Sequence, residues 1–411
     1  VKNKIFVQIA SYRDPELLNT IRDCLAKAKY PKNLTFGICW QRDEKETLSE
    51  FATDKRFRVL DVPFADSKGA CWARHSIQQL YKNEDYTLQL DSHHRFVQDW
   101  DVKCIDTLKK LQEVGYKKPL LTGYIPSYNP TNDPAERVQE PWKMDFDRFT
   151  PEGVVFFLPA SIPNWKELNC EPIKARFYSA HFMFTLGKWI KEVPYDPEYY
   201  FHGEEISLAA RSYTHGYDLF HPTEIIAWHE YTRKGRVKQW DDDKLWGNRN
   251  THCHVRNRKL FGMDGEKDDI DFGIYGFGKV RTLQEYERYA GISFKLRGVT
   301  QFTRDRHNPP NPPLEDFDSS ILTIFKHCID VGYDKVPETD YDFWCVAFKD
   351  ADDKEIHRQD ASPSEILSMK NDPDKYCKIW REFHYHGKPH HWVVWPHSIS
   401  KGWCAPITGN L

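Results

Sequence analysis

The sequence predicts a doubly wound α/β domain followed by a small β-rich module. Three observations predict it. Strand-like and helix-like stretches alternate from Lys4 to Glu113. The apolar run Tyr86–Leu90 ends on Asp91-Ser92-His93, and α/β sheets place their ligands at the carboxyl ends of strands. The stretch Arg304–Pro313 (RDRHNPPNPP) carries four prolines within its last five residues, cannot be helical and reads as an extended connector. At about 150 residues per domain, 411 residues fit two. The boundary is placed just past the prolines, giving domains 1–315 and 316–411.

Lys4–Ala10 (KIFVQIA) reads as the first strand. In Glu16–Ala28 the residues Leu17, Leu18, Ile21, Leu25 and Ala28 recur at helical spacing. Leu34–Trp40 and Phe57–Val62 are strands two and three. Ala70–Tyr81 is a helix, Tyr86–Leu90 the fourth strand and Asp99–Glu113 the next helix. Residues 125–175 hold Pro126, Pro130, Pro134, Pro141, Pro151, Pro159, Pro163 and Pro172, and are expected to be a long irregular insertion that binds an acceptor. Glu204-Glu205 open a helix after Gly203, and Glu224–Trp228 is a strand that delivers His229 at its end. Beyond the prolines, Asp340–Phe348 and His391–Trp395 are strand-like.

Composition removes several classes. There are 58 Lys+Arg against 61 Asp+Glu, a net charge of −3, so the basic surplus of a nucleic-acid binder is missing. Mean hydropathy is −0.72 and no window approaches 18 uncharged apolar residues, so no membrane span is expected. The apolar run at the start is too short for a signal peptide. The ten cysteines include no CxxC, and the closest pair, Cys24 and Cys39, is fifteen positions apart. That spacing suggests reduced, mostly buried thiols in a cytoplasmic protein rather than a disulfide scaffold. Neither GxGxxG nor GxxxxGK[ST] follows a strand.

The chemistry centres on Asp91-Ser92-His93. In an extended chain Asp91 and His93 lie on one side, where a carboxylate and an imidazole together grip a divalent ion. His229 is the candidate third ligand. Arg233, Lys234, Arg236 and Lys238 follow it directly and are expected to close over a diphosphate. Thr251-His252-Cys253-His254 and the histidines between His384 and His397 lack the spacing of a zinc site and are read as packed or solvated.

Several segments together resemble GT-A glycosyltransferases: Ile5–Leu17 (IFVQIASYRDPEL), Lys68–Arg74 (KGACWAR), Leu88–Phe96 (LQLDSHHRF), Phe201–Arg211 (FHGEEISLAAR) and Trp228–Tyr231 (WHEY). More narrowly they resemble the cytoplasmic-type N-acetylglucosaminyltransferases related to the enzyme that places GlcNAc on hydroxyproline of an F-box adaptor protein. The resemblance covers roughly residues 4–235. It implies a UDP-GlcNAc donor, a hydroxyl on a glycan or protein as acceptor, Mn²⁺ (or Mg²⁺) as cofactor, and retention of configuration. It implies that Ala10, Ser11, Tyr12 and Arg13 seat uracil and ribose, with Asp66, Lys68 and Arg74 beside the nucleotide and Arg74 reaching a phosphate. Asp91, Ser92 and His93 form the DxH form of the metal motif, and His229 completes it. Glu204 or Glu205 contacts the acceptor hydroxyl or the donor sugar, as a base in an inverting reaction or as an orienting group in a retaining one. A competing expectation is a carbohydrate-binding or scaffold protein on a degenerate transferase fold, motivated by Trp380, Trp392, Trp395 and Trp403. A metal-dependent hydrolase has too few converging carboxylates.

Overall fold

The computed structural model describes residues 3–265, 270–371, 373 and 375–411. The chain divides into two compact units, Val1–Lys295 with Phe302–Pro313, and Leu296–Gln301 with Leu314–Leu411.

The first unit is built on β1 (Ile5–Tyr12), β2 (Leu34–Arg42), β3 (Phe57–Pro63) and β4 (Tyr86–Asp91), all parallel, with β1 between β2 and β4. Alternation along β1 sends Ile5, Val7 and Ile9 to one face. There they share a core with Leu17 and Ile21 of helix α1 (Leu17–Lys27) and with Trp100, Ile105 and Leu108 of helix α3 (Trp100–Glu113). The opposite face carries Phe6 and Gln8 and is covered by α2 (Ala70–Gln78). The approach is close at Gly37 of β2. A side chain there would meet the Phe6 ring at 2.4 Å and Ile77 of α2 at 3.0 Å.

A short strand β5 (His94–Phe96) follows β4, and the sheet continues through β6 (Pro119–Thr122). The insertion is not irregular throughout. It contains an antiparallel hairpin, β7 (Trp142–Phe149) with β8 (Val155–Ser161). Prolines mislead here because Pro151 and Pro163 lie outside the strands. Pro159 sits within β8, which pairs with β7 alone and so is an edge strand, where a missing N–H is tolerated. Strand β9 (Ile173–Lys174) and strand β10 (Phe182–Leu186) follow. Strand β10 inserts antiparallel between β4 and β6, its Phe182 and Phe184 opposite Leu90 and Leu88. Beyond the short α4 (Trp189–Glu192), helix α5 (Glu204–Thr214) leads to β11 (Asp218–His221), parallel to β6. The strand expected at Glu224–Trp228 is shorter and later: β12 (Ala227–His229) pairs antiparallel with β5.

The second unit is a set of antiparallel strands. Ile321–Gly332 pairs with Tyr376–Tyr385 and with Gly298–Thr300. Tyr341–Lys349 pairs with Glu355–Arg358 and with His391–Ser398. Trp344, Val346, Phe348, Ile379, Phe383 and Val394 share its core. The architecture is therefore α/β with additional β-rich sheets. Most cysteines are buried, and among the described residues none forms a disulfide and no helix is long and apolar enough to cross a membrane.

Candidate active site

Two strand ends assemble the site. β4 stops at Asp91, in register with Ala10 of β1. The chain turns through Ser92-His93, and Thr20 of α1 pins the turn, its hydroxyl donating to the Ser92 carbonyl (2.8 Å) and accepting the His94 N–H (2.9 Å). β5 then pairs with β12 so that His229 lies opposite His94. One ligand atom each from Asp91, His93 and His229 fall within 4.8 Å of one another, the only such triad of His, Cys or acidic residues among the described residues. The two Nε2 atoms are 3.0 Å apart, and Asp91 Oδ2 is 3.2 Å from that of His229 and 3.6 Å from that of His93.

The protonation states suit a cation. Burial would raise Asp91, but its His229 hydrogen bond and the Arg74 charge outweigh this and hold it well below the usual carboxylate range. Burial, reinforced by the neighbouring imidazoles, pushes His229 well below its ordinary value, so it stays neutral with a lone pair to offer. An ionised carboxylate, the neutral imidazole of His229 and the adjacent imidazole of His93 are a donor set for a divalent transition ion.

Ion pairs frame this centre. Arg74 of α2 donates from Nη2 to Asp91 Oδ1 (2.6 Å) and from Nη1 to Glu204 at the start of α5. Asp14 Oδ2 lies 2.7 Å from His93 Nδ1 and 2.7 Å from the Ser92 hydroxyl. Arg236 reaches over His93, with Nη1 2.5 Å from Nδ1, and donates from Nη2 to Glu230 (2.6 Å).

Two clefts meet here. The first, about 970 Å³, is lined by Ala10, Tyr12, Asp14, Ser92, Arg236 and Trp240 among others. The second, about 1220 Å³, is lined by Tyr124, His181, Glu204, Glu205 and the Val154–Phe157 edge of the hairpin. Arg74, Asp91, His229, Tyr231 and Arg233 line both. In the second cleft Glu205 accepts the Ala180 N–H (2.9 Å) and the Tyr124 hydroxyl (3.3 Å). Burial pushes its carboxyl up to about 8, and the Glu204 charge adds to the shift. Gly203, at φ +90°, turns the chain into α5, and a side chain there would lie 3.0 Å from Asn257 Oδ1. His181 stacks on His229, ring centres 4.2 Å apart.

Of the residues expected from sequence, Asp91, His93 and His229 come together, and Ala10, Tyr12, Ser92, Arg233 and Arg236 line the first cleft with them. Ser11 and Arg13 are placed otherwise. Ser11 is fully buried and its hydroxyl has no hydrogen-bond partner. Arg13 pairs with Asp242 (2.8 Å) and lies over Phe64. Asp66 and Lys68 are exposed, with Lys68 on a separate cleft beside Tyr199 and Tyr200, and Lys234 is exposed. Arg74 points both terminal nitrogens at carboxylates, Asp91 at the end of β4 and Glu204 at the start of α5, rather than outward for a phosphate. Sequence reasoning missed Asp14, Tyr124, His181 and Glu230. Asp14 and Glu230 lie inside matched segments, and their signal is an acid within two residues of a strand end.

Residues 4–57 and 48–296 match the model of the family Glycosyltransferase (GlcNAc). No curated protein sequence matches the chain. Among solved structures, GalNAc-T7 with UDP, GalNAc and Mn²⁺ is similar over 69% of this chain at 14% identity and a TM-score of 0.46, and the chain spans 53% of that protein. TarS of S. aureus is similar over 99% of this chain and 77% of its own, at 11% identity and a TM-score of 0.37. Mannosyltransferase PcManGT from Pyrobaculum calidifontis, in complex with GDP-Man and Mn²⁺, is similar over 56% of this chain and 58% of its own, at 9% identity and a TM-score of 0.36.

Proposed function

The chain belongs to the Glycosyltransferase (GlcNAc) family, and from this we propose that it moves GlcNAc from UDP-GlcNAc to a hydroxyl of a glycan or protein, on a GT-A domain spanning 1–315. The observation that carries the reading is the convergence of Asp91, His93 and His229 at the seam of two clefts. These three residues hold the divalent ion. Mn²⁺ suits two imidazoles and a carboxylate better than Mg²⁺, which prefers oxygen ligands. Such an ion supplies positive charge against a departing diphosphate.

The rest falls to the side chains. Ala10 and Tyr12 form the wall for the uridine, and Arg233 and Arg236 supply the local cations for the diphosphate. Arg74, tied to Glu204, fixes Asp91 so that Oδ2 faces the histidines. Glu204 is thus a positioning residue. Glu205, protonated below about pH 8, donates a hydrogen bond to the acceptor hydroxyl or donor sugar instead of accepting a proton. An orienting carboxyl agrees with retention, which itself rests on the family resemblance. The module 316–411 serves acceptor recognition, and the site of action is cytoplasmic.

The test is UDP release over a panel of UDP-sugars with and without Mn²⁺. Turnover with UDP-GlcNAc that stops with EDTA is expected, and undiminished turnover in EDTA overturns the metal assignment. One observation favours a second reading, a carbohydrate-binding protein: Trp395 and Trp403 are 40% and 48% exposed with ring centres 4.6 Å apart. Absence of UDP release from every UDP-sugar would select it.

A further inference from the structure

The two histidines of the metal triad each have a second ring nitrogen, and the surroundings of those nitrogens differ from what the triad alone requires. An imidazole that binds a cation through Nε2 must carry its proton on Nδ1, and that proton needs an acceptor. For His93 an acceptor is in place at Nδ1, where Arg236 Nη1, which can only donate, also approaches to 2.5 Å. Asp14, 5% exposed, sets Oδ2 at 2.7 Å from Nδ1. Its carboxylate is itself held. Oδ2 also accepts from the Ser92 hydroxyl (2.7 Å) and from Arg236 Nη1 (3.3 Å), and Oδ1 accepts the Glu16 N–H (2.9 Å).

For His229 the partner is less direct. Its Nδ1 is buried with no hydrogen bond. Beside it stands His94, fully buried, with ring centres 4.9 Å apart. His94 Nδ1 is 3.0 Å from the Asp91 carbonyl, which can only accept, so Nδ1 carries the proton and Nε2 is a bare acceptor. That Nε2 is also buried without a hydrogen bond. One imidazole thus lacks an acceptor for its N–H, and its neighbour lacks a donor for its lone pair.

We propose that Asp14 and His94 are the positioning residues of the metal triad, Asp14 fixing the tautomer of His93, and His94 that of His229 through one bridging water. The inference rests on the cation site of the proposed function and assigns roles to two residues outside it. Both leave Nε2 of the ligand unprotonated and aimed at Asp91 Oδ2. Such outer partners are worth about 10–100-fold in metal affinity.

The test measures Mn²⁺ affinity of the full chain by the electron-spin signal of free Mn²⁺, beside ¹⁵N imidazole spectra of the metal-free protein. Asp14→Ala and His94→Phe are expected to weaken Mn²⁺ binding about 10–100-fold. Asp14→Asn, whose amide oxygen still accepts from Nδ1–H, is expected to recover most of the loss. The spectra should show the Nδ1–H tautomer at His93, and a mixture in Asp14→Ala. A purely structural role would lower the melting temperature and leave affinity and tautomer unchanged, which overturns the proposal. Wild-type protein that binds no Mn²⁺ would instead refute the proposed cation site, while the tautomer spectra still decide the role of Asp14.

Discussion

The two clefts that meet at Asp91 handle charge in opposite ways. In the first, ionised groups are matched at short range: Asp14 with Arg236, Glu230 with Arg236, Asp91 with Arg74. In the second, Glu205 receives only neutral donors, a backbone N–H and a phenol. Burial then outweighs those two hydrogen bonds and the more distant Arg74 charge, and its carboxyl moves up to about 8 while that of Asp91 is held down. Neighbouring acids on one helix end show the same division. Glu204 is paired with Arg74 and Glu205 has no cation. The contrast teaches that residue type does not set the role of a carboxyl. The partner within 3 Å does.

The comparison can be broken most forcefully at its hinge. Asp91→Ala removes one triad ligand and the partner of Arg74, and should reduce sugar transfer by on the order of 10³-fold while the circular dichroism stays native. Activity within tenfold of wild type would remove Asp91 from the centre of the site. Next is Arg74→Leu. It leaves Glu204 buried without its partner, and thermal or urea unfolding should show a loss of about 3–5 kcal/mol. Glu204→Gln in the same background should recover part of it, since the stranded charge is gone.

Smaller still is the effect of Glu205→Gln, which sharpens the contrast through pH. Glu205 titrates near 8 in the folded chain against 4.5 as its ordinary value, so between these pH values the folded state holds a proton that the unfolded state has lost. Wild-type stability attributable to this group therefore falls as pH rises from 4.5 to 8. The glutamine variant lacks that slope. Its advantage in unfolding free energy should grow with pH to on the order of 1–2 kcal/mol by pH 9, reduced from the full shift by the solvent in the cleft. Parallel curves for the two proteins would show Glu205 to be an ordinary carboxylate. Lys234→Ala is expected to do least. The side chain is exposed, and stability should change by no more than about 0.5 kcal/mol.

Much of the fold was legible because its early half is local. Helical spacing from Leu17 and strand runs such as IFVQIA are written in adjacent residues, and α1 and β1 fall where they predict. Strand β10 was not legible: five residues gain their place only by pairing antiparallel with β4, some 90 positions earlier. In the site, Asp91 and His93 could be read from spacing, and His229 from an apolar run ending on a polar residue. The direction of Arg74 could not. A sequence shows a cation near a motif but not which oxygens it faces, and here two carboxylates from separate elements claim it. Glu204 and Glu205 were indistinguishable for the same reason, since their difference lies in Arg74 of α2 alongside one and Ala180 and Tyr124 alongside the other.

The pairing of β5 with β12 has a consequence for how the molecule becomes active. Asp91 and His229 are separated by 138 positions, and their contact depends on a two-stranded ladder of three residue pairs. Closing so long a loop is entropically slow and is rewarded only once the intervening sheet is in place. The triad therefore exists only in the assembled fold, and an unfolded chain has no equivalent for a cation to grip. An ion bound at the proposed site would act as a latch on the finished fold: at a free concentration a hundred times its dissociation constant, it would add about 2.7 kcal/mol of stability. Metal supply and folding would then be coupled, since only a chain whose distant halves have met could hold the ion at the proposed site.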